Sequence, residues 1–322
     1  MEPAMANRIP GLVMLFPGQG SQSAGMGKEL ALNHLVARRT FEEADEALGY
    51  SLSSLCYEGP DEELRLTEKT QPAILTVSVA AARVLAEVGI APSFVAGHSL
   101  GEYSAHVVAG TLSFADAVRT VRNRGKYMQE AVPVGVGAMA AILMLPIEQI
   151  REACAEAIAL HPGECCEPAN INSPGQVVIS GSKAAVEKAA ELCKQKGAKR
   201  AVMLPVSAPF HCALMQPAQD RLATDLAALT FNAPQVPVLC NVEAVAITEA
   251  DKSRETLIRQ VTGAVQWEAS MKTLIAQGAT HFVEAGPGAV LTGLLRQIDK
   301  TQSCVNVENE ATLQKAKAHF GI

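Results

Sequence analysis

The sequence is poor in aromatic residues and in charge of either sign. Aromatic residues make up 4% of its 322 positions, with a single tryptophan, and charged residues make up 19%. No run of lysine or arginine forms the basic stripe that nucleic-acid binding usually needs, and the formal net charge is −6. The sequence therefore predicts no nucleic-acid partner.

Long hydrophobic segments are absent as well. No stretch approaches the roughly 20 apolar residues that span a bilayer. The apolar run at residues 12–16 is too short for the hydrophobic region of a signal peptide. We therefore expect no membrane association, and the cytoplasm is the expected location.

None of the cysteines forms a Cys-x-x-Cys pair, which argues against zinc-binding and thioredoxin-like functions. The eight cysteines are Cys56, Cys154, Cys165, Cys166, Cys193, Cys212, Cys240 and Cys304. Their irregular spacing is typical of reduced thiols that serve as small buried apolar residues. No metal site is expected.

What the sequence does contain, with 48% hydrophobic residues, is an alternation of short apolar runs and long amphipathic stretches. The predicted strands are residues 12–16, 94–96, 236–239, 281–283 and 304–307. Helical periodicity is found between them, for example at residues 71–88, 114–131 and 289–298. This alternation is typical of an α/β fold with a mostly parallel sheet and helices on both faces.

Residues 134–204 follow a different order. The predicted elements are a strand (137–145), a helix (147–159), two strands (166–171 and 176–180), a helix (183–196) and a strand (199–204). A Pro-Gly turn separates the paired strands, and Ser182 is placed to cap the second helix. This β-α-β-β-α-β order is the ferredoxin-like unit. We expect a large α/β-hydrolase-like domain (residues 1–133 and 205–322) with a small ferredoxin-like subdomain (134–204) inserted.

A candidate nucleophile follows the second predicted strand. The sequence GHSLG at residues 97–101 matches G-x-S-x-G, and residues 100–109 then have helical character. Strand, tight turn and helix are the context of a nucleophile elbow, which exposes the hydroxyl of Ser99 and aims the amide of Leu100 at an oxyanion. The alternative is an ordinary turn between a strand and a helix.

A serine hydroxyl needs a base within hydrogen-bond reach to become an effective nucleophile. Most of the seven histidines lie in segments with helix or strand character, but His211 lies in a loop behind two prolines, just before a predicted helix. This position predicts a rigidly held and partly exposed imidazole. From the spacing, a catalytic base and a capping or surface histidine both stay open.

Arg124 lies on a predicted helix whose faces can be assigned from periodicity. The apolar stripe of this helix consists of Phe114, Val118, Val121, Gly125 and Met128. Arg124 lies near the edge of that stripe, in line with Ala117 and Ala131, whereas Arg119 projects away from it. We expect Arg124 to reach inward, where a guanidinium suits a carboxylate. A salt bridge to a surface acid is the alternative.

Several motifs in register resemble one enzyme family nearly end to end. The motifs are FPGQGSQ (16–22), TQPA (70–73), GHSLGEY (97–103), RGKYMQ (124–129), NINSPGQ (170–176), PFH (209–211), RQ (259–260) before Trp267, and EAGPG (284–288). The chain is similar to the malonyl-CoA:acyl carrier protein transacylases and to the acyltransferase domains of polyketide synthases. Many motifs in the family's order are far more specific than any one of them.

The resemblance implies roles for the residues around the candidate nucleophile. Ser99 would be the acylated residue, and His211 would be its general acid and base. Gln260 would orient His211 through a main-chain carbonyl, in place of an aspartate. The backbone amides of Gln19 and Leu100 would form the oxyanion hole.

The resemblance also implies the substrates. Arg124 would pair with the carboxylate of a malonyl group, with Gln71, Asn170 and Asn172 as supporting pocket residues. The expected reaction moves malonyl from coenzyme A to the phosphopantetheine of acyl carrier protein in type II fatty acid synthesis, by a ping-pong route and with no bound cofactor. Because acyl carrier proteins are generally acidic, candidate docking residues are Lys194, Lys196, Lys199 and Arg200.

Three other functions stay open. An esterase or thioesterase shares the elbow but usually has an acidic triad residue between the serine and a late histidine; the inserted unit and Arg124 argue against it. A partner protein on the same fold would carry an inert Ser99. A polyketide acyltransferase is a closer alternative, although the chain has no visible ketosynthase or carrier segment.

Overall fold

The computed structural model describes residues 8–206 and 208–322. The strands of this part of the chain are β1 (Leu12–Phe16), β2 (Phe94–Gly97), β3 (Gly137–Leu143), β4 (Cys166–Ser173), β5 (Gln176–Ser182), β6 (Arg200–Met203), β7 (Val238–Leu239), β8 (Ala246–Ile247), β9 (His281–Ala285) and β10 (Cys304–Val307). They form one six-stranded and one four-stranded sheet.

Helices surround both sheets. Those of the first half of the chain are α1 (Lys28–Asn33), α2 (Leu35–Leu48), α3 (Leu52–Glu58), α4 (Asp61–Leu64), α5 (Thr67–Glu87), α6 (Gly101–Val108), α7 (Phe114–Glu130) and α8 (Ile147–Leu160). The others are α9 (Lys183–Gln195), α10 (Gln216–Ala227), α11 (Ala250–Arg259), α12 (Trp267–Ala276), α13 (Val290–Ile298) and α14 (Glu310–Phe320). A 3₁₀ turn, Ala213–Met215, precedes α10.

The six-stranded sheet has the order β10-β9-β1-β2-β7-β8 and is parallel except for β8. Along β1, Met14 packs in a cluster with α5 and α6, whereas Val13 and Leu15 pack on the other face with α12 and α13. Successive side chains of a strand point to opposite faces, so helices must cover both faces of this sheet. The predicted mostly parallel α/β architecture is confirmed.

The four-stranded sheet has the order β4-β5-β3-β6 and is antiparallel throughout. Helices α8 and α9 cover one face, where Ile142 and Ile179 pack against Ala153 and Ala189. The elements follow the predicted β-α-β-β-α-β order. The other face presents Met139, Ala169 and Val178, packed against Leu204, Val206 and Phe210.

We call residues 134–204 the small lobe and the rest of the described chain the large lobe; a division into two domains at these boundaries stays a prediction. Strand β4 joins the lobes. The Ile171 amide donates to the Val265 carbonyl at 2.9 Å, and the Val265 amide donates to the Ala169 carbonyl at 2.8 Å. These bonds hold one edge of the small sheet against the segment before α12.

Two details differ from the sequence prediction. Ser182 lies at the N-cap of α9 but makes no capping bond, because its hydroxyl accepts from the Cys165 amide at 3.2 Å. Strand β8 was not predicted, since two residues are too few to show a periodicity. In residues 8–206 and 208–322, no helix combines the length and apolar character needed to cross a membrane.

Candidate active site

Ser99 lies in the turn between β2 and α6, with a left-handed backbone at φ 51°. A residue other than glycine rarely adopts this conformation, and strain of this kind concentrates at functional sites. A Cβ atom at Gly97 would lie 1.9 Å from the Gly101 carbonyl carbon, and one at Gly101 would lie 2.1 Å from the Phe16 carbonyl oxygen. Both glycines are therefore required for the turn, as the motif predicts.

The imidazole of His211 bridges Ser99 and Gln260. Its Nε2 lies 2.6 Å from Ser99 Oγ, and its Nδ1 lies 2.8 Å from the Gln260 carbonyl oxygen. A carbonyl oxygen only accepts, so Nδ1 carries the proton and Nε2 of the neutral ring accepts from the serine hydroxyl. The geometry is that of a serine with its base and an orienting group.

The predicted partial exposure of His211 is wrong, because the side chain is only 3% exposed. Val206 and Phe210 line the cavity together with His211, and the ring lies against Ser99 and Gln260. The pKa of His211 is lowered to about 3, mainly by burial and to a smaller extent by the positive charge of Arg124. The ring is therefore neutral throughout the physiological pH range, which leaves the Nε2 lone pair free to accept from the Ser99 hydroxyl.

Arg124 faces inward from α7 and is 2% exposed, as its position at the edge of the apolar stripe predicts. Its Nη1 donates to Gln71 Oε1 at 2.8 Å, and its Nη2 donates to Gln260 Oε1 at 3.0 Å and to Ser99 Oγ at 3.1 Å. The ring of Tyr103 lies 5.7 Å from its guanidinium carbon. No acidic side chain of the described residues forms an ion pair with it, and its Nε has no hydrogen bond.

These groups line one cavity of about 530 Å³. The cavity wall includes Gln19, Leu100, Arg124, Ser99 and His211. Among the described residues, neither the Gln19 nor the Leu100 amide has a hydrogen-bond acceptor. Two unpaired amides beside a nucleophile are suited to a developing oxyanion.

The three predicted supporting residues have different positions. Gln71 lines the cavity and holds Arg124. Asn170 lines the cavity too, and its buried Oδ1 has no hydrogen bond within the described chain. The Oδ1 of Asn172 instead lies 2.8 Å from His98 Nε2, so it links β4 to the turn that carries Ser99.

Comparison with known proteins identifies the family to which the chain belongs. Residues 13–318 match the family described as the acyl transferase domain. The chain is 55% identical over 288 residues to the malonyl CoA-acyl carrier protein transacylase of Escherichia coli strain K12, covering 89% of this chain and 92% of the relative. The chain belongs to the acyl transferase family.

Solved structures of similar proteins share the fold of this acyl transferase. An acyl carrier protein S-malonyltransferase from Vibrio cholerae is 51% identical with a TM-score of 0.93, covering 95% of this chain and 100% of that one. A malonyl-transacylase in complex with a type II PKS acyl-carrier protein is 49% identical with a TM-score of 0.92, covering 96% and 99%.

Sequence reasoning missed two residues that support the nucleophile of this acyl transferase. Asn241 follows β7; its Oδ1 accepts from the Ser99 amide at 2.7 Å, and its Nδ2 donates to the Gly97 carbonyl at 2.7 Å. Glu102 lies one helical turn after Ser99 and accepts from the Asn241 amide at 3.0 Å. Each had a signal in the sequence. Asn241 is a polar residue at the carboxyl end of a parallel strand, and Glu102 is a lone acid in an apolar helix.

The candidate docking residues of the small lobe differ in their surroundings. Lys196 is paired with Glu152 at 3.4 Å and with Glu156 at 2.7 Å. The others are exposed and have no ion pair within residues 8–206 and 208–322: Lys194, Lys199 and Arg200. Of the four candidates, these three have no acidic partner within the described residues and are therefore available to an acidic protein.

Proposed function

We propose that this acyl transferase moves a malonyl group from coenzyme A to an acyl carrier protein through a malonyl ester of Ser99. The observation that carries the proposal is the buried guanidinium of Arg124, which lies 3.1 Å from Ser99 Oγ with only neutral partners. The names of the relatives support the same reaction.

The environment of Arg124 favours an acyl group that carries a carboxylate. Burial lowers the pKa of Arg124, because removal from water disfavours the charged form. A bound carboxylate would offset that cost by accepting charge-assisted hydrogen bonds, which are stronger than the bonds to neutral amides. An acetyl group has no such acceptor, so the site is expected to prefer malonyl over acetyl.

The first half-reaction follows from the tautomer of His211. Its Nε2 takes the proton of Ser99 as Oγ attacks the thioester carbon, and its Nδ1 remains bonded to the Gln260 carbonyl. A carbon–oxygen bond forms and the carbon–sulfur bond breaks. Coenzyme A leaves as a thiol, with the proton from Nε2.

The second half-reaction reverses these steps with another thiol. The phosphopantetheine thiol of the carrier gives its proton to His211 Nε2 as its sulfur attacks the ester carbon. A carbon–sulfur bond forms, the ester carbon–oxygen bond breaks, and Ser99 is released as a hydroxyl with the proton from Nε2. In both halves the amides of Gln19 and Leu100 would bind the oxyanion, and loss of one such donor typically costs about 3–4 kcal/mol. No resident cofactor is needed for either half.

The carrier is expected to be the acyl carrier protein of type II fatty acid synthesis. Lys194, Lys199 and Arg200 are the free cations proposed to meet it. A cytoplasmic location is the companion proposal, and it is supported by eight cysteines that are all unpaired. Transfer to a polyketide carrier would use the same chemistry, so comparing the rates with the two carriers would distinguish the pathways.

The test is covalent labelling with radioactive malonyl-CoA. The wild-type protein is expected to retain label at Ser99 and to pass it to the carrier, with parallel initial-rate lines when both substrates vary. Ser99→Ala should retain none. Ser270→Ala is the matched control, because that buried hydroxyl on α12 has no hydrogen bond within the described chain and does not line the cavity.

Three results would contradict the proposal. Label retained by Ser99→Ala would remove Ser99 from its role. Intersecting initial-rate lines would indicate direct transfer in a ternary complex, without an acyl-enzyme. Free malonate formed rapidly in the absence of carrier would instead favour a hydrolase.

A further inference from the structure

Glu102 is a buried carboxylate that the proposed mechanism does not use. It is 0% exposed, and its Oε2 accepts from the Gln260 amide nitrogen at 2.7 Å and from the Asn241 backbone at 3.0 Å. Its Oε1 has no hydrogen bond within the described chain and lies 4.0 Å from His106 Nε2. A half-satisfied buried carboxylate is costly, and such a group in a folded protein needs an explanation.

The explanation is found in the side chain of Gln260. Its Nε2 lies 2.7 Å from Glu102 Oε2, 2.9 Å from the Ser99 carbonyl oxygen and 3.4 Å from Asn241 Oδ1. All three neighbours are acceptors, so the amide has one favourable orientation. In that orientation its Oε1 faces Arg124 Nη2 at 3.0 Å.

Gln260 contacts His211 through its main-chain carbonyl and Arg124 through its side chain, and these two contacts are separable. Its backbone amide donates to the Thr256 carbonyl at 2.9 Å at the end of α11, which holds the main chain independently of the side chain. The carbonyl that accepts from His211 therefore stays in place if the side chain turns. Loss of Glu102 is expected to release the side-chain amide, and with it the contact to Arg124.

We propose that Glu102 is a positioning residue for acyl selection: by holding the Gln260 amide, it aims the Arg124 guanidinium at the space beside Ser99 where a substrate carboxylate binds. This inference rests on the proposed function, because it assumes an acyl group with a carboxylate. Glu102 touches neither the hydroxyl nor the imidazole, so it acts on selection rather than on the proton transfer.

Glu284 provides a matched comparison. This second buried carboxylate of the large lobe accepts from the Leu291 amide at 3.0 Å and from the amide and hydroxyl of Thr292 at 2.8 and 2.7 Å. Both of its oxygens are satisfied at the start of α13, away from the cavity. These hydrogen bonds indicate a structural role for Glu284.

The experiment compares Glu102→Ala, Glu102→Gln and Glu284→Ala with the wild type. For each protein, the rate of Ser99 acylation by malonyl-CoA is divided by the rate of labelling by a neutral fluorophosphonate, which reacts with Ser99 but has no carboxylate for Arg124 to bind. Glu102→Ala should lower this ratio by about tenfold or more, the effect of losing one hydrogen bond to a charged group.

Glu102→Gln should keep the ratio within about threefold of the wild type, because its amide oxygen can accept from both donors while its nitrogen faces the unpartnered ring of His106. Glu284→Ala should lower the melting temperature and leave the ratio unchanged. An unchanged ratio in Glu102→Ala, or an equal fall in Glu284→Ala, would overturn the inference.

Crystal structures of the Glu102 variants separate this inference from the proposed function. A wild-type protein that reacts with the fluorophosphonate but not with malonyl-CoA would refute the proposed function alone. The inference would then be decided by the distance from Arg124 Nη2 to Ser99 Oγ, which is 3.1 Å here. A guanidinium unmoved in Glu102→Ala would contradict it, and one displaced there but retained in Glu102→Gln would support it.

Discussion

The two lobes line the same cavity with different chemistry. The large lobe supplies a hydroxyl, an imidazole and a guanidinium, which are joined through Gln260 into one hydrogen-bonded network. The small lobe supplies mainly apolar side chains and one amide: Met139, Leu204 and Asn170. The difference teaches that the large lobe supplies the reactive groups, whereas the small lobe shapes the space beside them and carries the cations proposed to meet the carrier.

Among substitutions that leave Ser99 and His211 in place, the largest effect is expected from Arg124→Ala. The rate of Ser99 acylation by malonyl-CoA should fall by about 100-fold, because truncating one partner of a buried charge pair costs about 2–5 kcal/mol. Labelling by a neutral fluorophosphonate should persist. Arg119→Ala is the control on the same helix, since that side chain is half exposed and paired with Asp116.

An equal loss of both rates in Arg124→Ala would make Arg124 a structural residue. Because the guanidinium is buried, circular dichroism of the variant must first show that it is folded. Arg124→Lys keeps the charge but not the planar fork, so it should recover only part of the malonyl rate.

A smaller effect is expected in the small lobe. Lys199→Ala should raise the KM for the carrier by about two- to fivefold, since an exposed ion pair typically contributes about 0.2–1 kcal/mol. The acylation rate with malonyl-CoA should be unchanged. Lys315→Ala is the control, because it is an exposed lysine of the large lobe with no ion pair in the described chain. Carrier kinetics that do not respond to Lys199→Ala or to added salt would contradict electrostatic docking.

The smallest effect concerns pH. With the pKa of His211 lowered to about 3, the ring stays neutral at pH 5, so the rate of fluorophosphonate labelling should change by less than about twofold between pH 7 and 5. A loss of activity centred near pH 6.5 would show an unperturbed histidine. Burial raises the pKa of Glu102 to about 7, but Glu102 contacts neither reacting group.

The same pKa shift predicts a change in stability of definite sign. The unfolded histidine binds its proton near pH 6.5 and the folded one only near pH 3, so the unfolded state binds more protons between these values. The contribution of His211 to the free energy of unfolding should therefore fall as the pH drops from about 6.5 towards 3. The contribution of Glu102, whose pKa is raised to about 7, has the opposite sign over the upper part of this range. Melting temperatures measured across this range test the sign, and also identify the pH at which the labelling assay stops reporting on folded protein.

Local signals predicted the elements that carry the chemistry. The apolar runs located most strands of the large sheet, and the GHSLG motif between a strand and a helix located the elbow, whose two glycines prove sterically necessary. Helical periodicity predicted that Arg124 faces inward, and it is buried. In each case the information lies within a few residues, where the period of a helix or strand determines side-chain direction.

Contacts between residues far apart in the sequence could not be predicted from these local patterns. The bond from the Ser99 amide to Asn241 joins residues 142 positions apart, and the bond from the Gln260 amide to Glu102 joins residues 158 apart. The burial of His211 likewise depends on how its loop folds against Gln260, which no local pattern describes. Such contacts depend on the packing of α11 and β7 beside α6, which is a property of the whole fold.

The most direct test of the central claim is mass spectrometry after incubation with an equimolar mixture of acetyl-CoA and malonyl-CoA. We expect the peptide that contains Ser99 to carry predominantly a malonyl group in the wild type, and to lose that preference in Arg124→Ala. Acetyl groups on Ser99 of the wild type in amounts equal to or above malonyl, or a malonyl group on any other residue, would contradict the claim that the hydroxyl, the imidazole and the guanidinium form one carboxylate-selecting site.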